Sequence, residues 1–366
     1  MTSRGSDAPR GRGALSQPDC RYETQRREAV DDGWWQERPE PVATTTGIDA
    51  SRRVISYNAS PDIPFDRSLN PYRGCEHGCL YCYARPSHAW LGLSPGLDFE
   101  SRLFYKPDAA AQLERELAMP GYRPAPLALG ANTDPYQPIE RRLGITRAVL
   151  DVLHACRHPA FITTKSALVL RDLERLEALA AEGLIAVRVS ITTLDRDLAR
   201  RLEPRAASPA RRLATIRSLA EAGVPVGILA SPIIPGLTDN DLERILARAA
   251  DAGATMACSQ LIRLPLEIKH LFAEWLEGHY PERAARILGL IRQCRDGGLN
   301  DARFGHRHRG NGPIADLLQQ RFALAARRNG LCTDTGAWNL DTGRFRPPQP
   351  PGTQLSLFDA PGSWVD

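Results

Sequence analysis

Cysteine is scarce in this chain. There are eight in 366 residues, and Cys20, Cys156, Cys258, Cys294 and Cys332 lie far apart with no partner at a metal-ligand spacing. A disulfide framework spreads its cysteines through a short secreted chain, so that class is excluded. No apolar run approaches the roughly 20 residues of a membrane-spanning helix. The first residues are polar and arginine-bearing, unlike a signal peptide. Excess charge is also scarce: 47 Lys and Arg face 43 Asp and Glu, a formal +4, too weak to imply a polyanionic partner alone. With 42% hydrophobic and 25% charged residues, the expectation is a globular, cytoplasmic, reduced protein with no membrane partner.

The remaining cysteines are concentrated. "CEHGCLYC", residues 75–82, spaces three thiols as Cys75-x3-Cys79-x2-Cys82. A structural zinc site closes its tetrahedron with four Cys or His ligands, so His77 or His88 would have to complete a Cys3His site. An iron–sulfur cubane held by three thiolates leaves one iron open to a substrate or cofactor. The spacing, with aromatic Tyr81 before the last cysteine, resembles the hallmark of the radical SAM superfamily. That resemblance implies a 4Fe-4S cluster on Cys75, Cys79 and Cys82, with S-adenosylmethionine chelated to the open iron. It further implies an electron donor of the flavodoxin or ferredoxin type, and reductive cleavage to a 5′-deoxyadenosyl radical. The initiating chemistry belongs to the cofactor, and positioning belongs to the protein.

Downstream, short apolar runs alternate with amphipathic stretches. "PLALGAN", "AFITTKS", "IAVRVSITT", "VPVGILASP" and "TMACSQLIRLP" read as strands, after a first strand running into "SLNPYRGC". Between them "TRAVLDVLHACR", "LRDLERLEALAAEG", "PARRLATIRSLAEAG" and "DNDLERILARAADAG" carry helical periodicity. Six βα units imply a parallel sheet, and the resemblance implies the partial (βα)6 TIM-like barrel of the superfamily. The fold class is therefore α/β, with the barrel over residues 46–265. Barrel active sites gather at the C-terminal ends of strands, which selects Asn132, Thr133, Asp134, Lys165, Ser190, Thr192 and Ser231. Around them "NTD", "TTK", "SITT", "LEP" and "SPIIPG" resemble spore photoproduct lyase and its relatives. By that resemblance Thr133, Lys165, Ser190 and Ser231 contact S-adenosylmethionine and Tyr81 lies near its adenine. A lone Ser or Thr at a strand end is also an ordinary helix cap. Lys165 has a physical argument besides, since its ammonium can meet the methionine carboxylate. The lyase group has a hydrogen-donating cysteine where this chain has Ala131. Direct repair of the spore photoproduct is not expected, and Cys258 is the nearest alternative donor, unless it is simply a buried core thiol.

Outside the barrel, residues 1–45 lack periodicity and read as a mobile arm with short docking segments. Residues 266–340 read as a helical, basic extension. There "LEIKHLFAEWLEGHYPERAARILGLIRQC" is a helical cover broken at Pro281, and Pro313 opens a helix with Ile314, Leu317, Leu318 and Phe322 on its apolar face. The loop with Arg303, Arg307 and Arg309 suits a nucleic-acid substrate, though charge runs also merely solvate a surface. Residues 341–366 read as a disordered tail whose "QLSLF" resembles the peptide by which bacterial polymerases and repair proteins bind the sliding clamp. That resemblance implies contacts from Gln354, Leu355, Leu357 and Phe358. The sequence thus points to a radical SAM enzyme acting on nucleic acid; the alternatives are a radical SAM enzyme modifying a protein or small molecule, and a non-catalytic metal-stabilised nucleic-acid-binding module.

Overall fold

The apolar runs do form parallel strands, and they assemble in chain order. The computed structural model describes residues 11–23, 42–334 and 340–348. Its strands are β1 (Thr45–Ile48), β2 (Ile55–Tyr57), β3 (Arg67–Leu69), β4 (Tyr72–Arg73), β5 (Arg102–Tyr105), β6 (Leu127–Leu129), β7 (Ala160–Thr164), β8 (Ile185–Ser190), β9 (Val226–Ile233) and β10 (Met256–Leu261). β3, β6, β7, β8, β9 and β10 pair successively and in parallel, and β2 adds an antiparallel edge to β3. Parallel neighbours need crossovers, and the helices Ile145–Ala155, Leu173–Ala181, Pro209–Glu221 and Leu242–Asp251 supply them. Central β8 is buried along its whole length, which explains its continuous apolar character. This is the expected six-stranded partial barrel.

The expected first strand is divided. Pro71 cannot donate to a ladder, and the chain leaves the barrel sheet after Leu69. Tyr72–Arg73 instead joins a small sheet ordered β1-β5-β4, which stands beside the cysteine loop.

Three segments differ from the composition-based reading. Residues 11–23 include a buried strap: Ala14 is fully enclosed and Arg12 nearly so. The helix Pro313–Arg328, expected in an extension, packs on the helix Leu242–Asp251 and on β10, completing the outer layer of the sixth unit. Its buried face is Ala315, Leu318, Phe322, Ala325 and Ala326, whereas Leu317 is exposed. Residues 340–348, expected within or beside a free tail, dock at the strands' N-terminal end. There Phe345 contacts Tyr122 and His158, and Arg346 N donates to Cys156 O. The helices Ile268–His279 and Pro281–Gln293 do break at Pro281. They bury Trp275 and Ile287 in a second core that also holds Leu80, Leu202 and Ile234, so they brace the cysteine loop from outside. The sliding-clamp candidates Gln354, Leu355, Leu357 and Phe358 lie outside the described residues. Among the described residues no helix is long and apolar enough to cross a membrane.

Candidate active site

Residues 74–82 have few apolar side chains to pack, so backbone hydrogen bonds fix their path. Cys75 N donates to Phe99 O and Leu80 N to Leu202 O. Glu76 N donates to Gln137 Oε1 (2.8 Å), and Gln137 Nε2 returns a bond to Gly74 O (3.1 Å). Beneath the loop the fully buried Arg85 donates to Cys79 O (2.9 Å), Gly78 O (3.0 Å) and Gly96 O (2.7 Å). Its charge is met by buried Glu100 at 3.0 Å. The same carboxylate accepts from Gly13 N (2.8 Å) and Ala14 N (2.9 Å), which ties the N-terminal strap to the loop. A Cβ on Gly13 would stand 1.8 Å from Gly78 O, so only glycine fits this crossing.

The loop thereby presents Cys75, Cys79 and Cys82 on the wall of one cavity of about 1190 Å³. Burial pushes all three thiols up, with Asp134 adding to the effect at Cys75 and Glu203 at Cys79. Such thiols hold their protons until a metal displaces them. The two histidines that could complete a zinc site are engaged elsewhere. His77 Nδ1 faces Asp134 at 3.3 Å, and His88 Nε2 lies 2.9 Å from Arg102 O. Among the described residues no three His, Cys, Asp or Glu side chains converge as a single ion requires.

Behind Tyr81 and Lys165 stands a carboxylate. Glu203, in "LEP" after β8, is buried and paired with buried Arg212. Thr192 Oγ1 donates to it at 2.7 Å and the Tyr81 phenol also bonds to it. Lys165 Nζ lies 3.4 Å from Glu203, donates to Ser190 Oγ at 2.5 Å and stands 5.8 Å from the Tyr81 ring centre. Burial by itself would raise the Glu203 pKa, but Arg212 and Lys165 outweigh it and hold the carboxyl well below its ordinary range. An ammonium has three donors, so one of Lys165's remains for a group in the cavity. Asp134 plays a similar part at the next strand end. Burial opposes its charge, yet His77 and the donors Lys165 N and Thr164 Oγ1 keep its pKa low.

The five residues expected near S-adenosylmethionine, Tyr81, Thr133, Lys165, Ser190 and Ser231, all line this cavity together with the three cysteines. Thr133 commits its hydroxyl proton to Tyr72 O (2.9 Å), and the Ser231 carbonyl lies 2.8 Å from Thr192 Oγ1, sharing that hydroxyl's one proton with Glu203. Cys258 lines the cavity from β10, opposite Leu229 of β9. The three arginines separate. Arg309 is an exposed part of the cavity wall, and Arg307 also lines it while pairing with Asp62 at 2.6 Å. Arg303 does not line it: its guanidinium is held by Asp296 and Asp301. The basic-loop count could not see those carboxylates, because folding decides which arginines are neutralised. Glu203 and Arg212 are the buried pair behind Tyr81 and Lys165 that strand-end reasoning passed over. The only signal for them was the "LEP" run, which lies beyond its strand.

The superfamily sequence model described as "Radical SAM superfamily" matches residues 69–249. The chain belongs to the radical SAM superfamily. It is therefore an enzyme whose cofactors are a 4Fe-4S cluster and S-adenosylmethionine. An uncharacterized protein of Mycobacterium tuberculosis is 36% identical over 233 residues, covering 63% of this chain and 68% of the relative. Another, from Methanocaldococcus jannaschii, is 28% identical over 217 residues, covering 58% and 76%. Among solved structures, spore photoproduct lyase complexed with dinucleoside spore photoproduct superposes with a TM-score of 0.56. That match has 18% identity and covers 79% of this chain and 80% of the lyase, a likeness of fold.

Proposed function

We propose that Cys75, Cys79 and Cys82 hold the cluster of this radical SAM enzyme, and that it acts on a nucleic acid. The observation that carries the reading is the shared cavity. Three thiols, two of them buried and Cys82 half-buried, line one cavity with Lys165, Tyr81 and Ser190, in a space large enough for a cofactor and part of a substrate. A site with three sulfur donors and no fourth histidine suits a cluster with one open iron better than a closed zinc site. The chemistry supplied when cluster and S-adenosylmethionine are bound is reductive cleavage of the sulfonium to a 5′-deoxyadenosyl radical. The protein's own part is to hold the methionine carboxylate with Lys165, to keep Tyr81 in place through Glu203 and Thr192, and to brace the cysteine loop with the helices Ile268–His279 and Pro281–Gln293.

The nucleic-acid reading rests on the mouth, where Arg307, Arg309 and the exposed Tyr83 line the cavity and Arg307 lies over the exposed Phe304 ring at 5.0 Å. The fold neighbour's dinucleoside ligand agrees with it in class. Cys258, on the same wall, is the thiol this reading assigns as hydrogen donor in place of Ala131. The reaction takes place in a reducing cytoplasm with a flavodoxin- or ferredoxin-type electron donor. Anaerobic reconstitution followed by 5′-deoxyadenosine assay against damaged DNA, RNA and small metabolites tests the substrate class. Stimulation by metabolites alone would remove nucleic acid.

Lys165→Met should weaken S-adenosylmethionine binding by roughly tenfold to a hundredfold, the equivalent of one charged hydrogen bond of about 1.5–3 kcal/mol. Iron content should be unchanged. Equal affinity in equilibrium titrations of the two reconstituted proteins would take Lys165 out of the site.

The tail supplies a second line for DNA. We read Gln354, Leu355, Leu357 and Phe358 as a sliding-clamp ligand in which Leu357 and Phe358 are the apolar anchors. The neighbouring prolines favour an extended peptide that loses less freedom on binding. A synthetic peptide over residues 351–359 should bind purified clamp in the micromolar range, about −8 kcal/mol. The Leu357→Ala, Phe358→Ala double change should abolish it. No binding by either peptide or full-length protein would withdraw this support.

A further inference from the structure

The end of β10 carries a guanidinium that nothing in the cofactor site uses. Arg263 lines the cavity and is half-buried. Its guanidinium lies 4.5 Å from the Tyr83 ring centre, and it has no hydrogen-bond or carboxylate partner among the described residues. A guanidinium presents five donors, and leaving them unmet while half-buried is unfavourable. The other arginines here differ. Arg307 has Asp62, and Arg295 is saturated by the carbonyls of Leu261, Ile262 and His306.

Those Arg295 bonds set the geometry of what stands beside Arg263. They fasten residues 306–308 to the end of β10, and Leu261 N donates to His308 O at 2.9 Å. His308 is thereby placed on the same cavity wall, with its Nε2 buried and without a hydrogen-bond partner among the described residues. Burial, then Arg263 and Arg307, lowers its pKa to about 4, so at neutral pH the ring is uncharged. A neutral imidazole still has one N–H to donate. Asp62, Arg295 and Arg307 are the other charged groups acting on it.

A guanidinium and an imidazole nitrogen without hydrogen-bond partners among the described residues thus belong to residues that line the cavity together with Tyr83 and the cysteine loop. We propose that Arg263 and His308 form an anion subsite that takes a backbone phosphate of the substrate strand, next to the nucleotide that reacts. The fork of Arg263 matches two phosphate oxygens, His308 supplies a further donor, and Tyr83 holds the guanidinium plane from behind. This deepens the nucleic-acid reading and rests on it. It also moves the decisive phosphate contact from the loop arginines Arg307 and Arg309 to the end of β10.

The test uses full-length reconstituted protein saturated with S-adenosylmethionine, so that the cofactor's own carboxylate is already placed. Fluorescence anisotropy at one fixed salt concentration follows a labelled single-stranded DNA 10-mer, and calorimetry follows inorganic phosphate. Arg263→Gln should weaken 10-mer binding about tenfold or more, and His308→Gln about threefold to tenfold, from the usual strength of such bonds. Arg263→Lys, which keeps the charge and loses the fork, should recover only part of the loss. Arg303→Gln should change it less than twofold. Circular dichroism melts identify any variant that fails to fold, and Arg263→Lys then carries the comparison. Undiminished 10-mer binding by Arg263→Gln overturns the subsite and leaves the nucleic-acid reading standing. If the wild type ignores the 10-mer but binds phosphate through Arg263, the anion subsite survives and its assignment to a nucleic-acid strand falls. Binding of neither ligand removes both.

Discussion

Cys79→Ala protein, reconstituted anaerobically, should lose the visible absorbance of its cluster and release no 5′-deoxyadenosine above background. Loss of an outer-shell partner of a metal site costs about 10–100-fold in affinity or activity, and a direct ligand should cost more. The loop is held by bonds that do not involve the thiol: Arg85 to Cys79 O and Gly78 O, and Leu80 N to Leu202 O. The apoprotein should therefore keep its secondary structure and melt close to wild type, separating loss of the cluster from loss of the fold. Cys75→Ala and Cys82→Ala should behave alike. Full turnover by any of the three would contradict the assignment of its cysteine.

Glu203→Leu should produce the largest effect on stability. Removing this carboxylate leaves Arg212 buried and unpaired, and breaking a buried pair in this way costs about 3–5 kcal/mol. It also frees Tyr81 and Lys165, which share the carboxylate, so S-adenosylmethionine affinity should fall with it. The pH dependence has a definite sign. Because the folded pKa of Glu203 is depressed, its stabilising contribution is present above the unfolded value of about 4.3 and is lost as pH falls through the folded value. The wild-type advantage in denaturant midpoint should be full at pH 7 and shrink below about pH 4. A Glu203→Leu protein as stable as wild type at pH 7 would show that Arg212 finds another partner.

Much of the barrel was legible because each unit carries its own local signal. An apolar run reads as a strand, and helical periodicity with a cap or a terminal glycine reads as the crossover. Strand ends then led to Thr133, Lys165, Ser190 and Ser231, all on the cavity wall. What escaped were contacts between segments far apart in sequence. The strap at Gly13 looked like part of a mobile arm because it is anchored by backbone N–H groups to Glu100, 86 or 87 positions away. Arg303 looked like a substrate contact because Asp296 and Asp301 carry no sign that they will fold onto it. Arg263 was passed over for the opposite reason. One arginine after a strand carries no signal in sequence, and only folding shows that the described residues around it leave it without a hydrogen-bond partner.

The most direct test of the central claim is 5′-deoxyadenosine formation by the wild-type protein itself. It should be reconstituted with iron and sulfide, given S-adenosylmethionine, and assayed with and without a low-potential reductant. The reconstituted protein should carry about four irons per chain and accumulate 5′-deoxyadenosine only under reduction. A protein carrying its full cluster that leaves S-adenosylmethionine intact under reduction, with every substrate class offered, would contradict that claim.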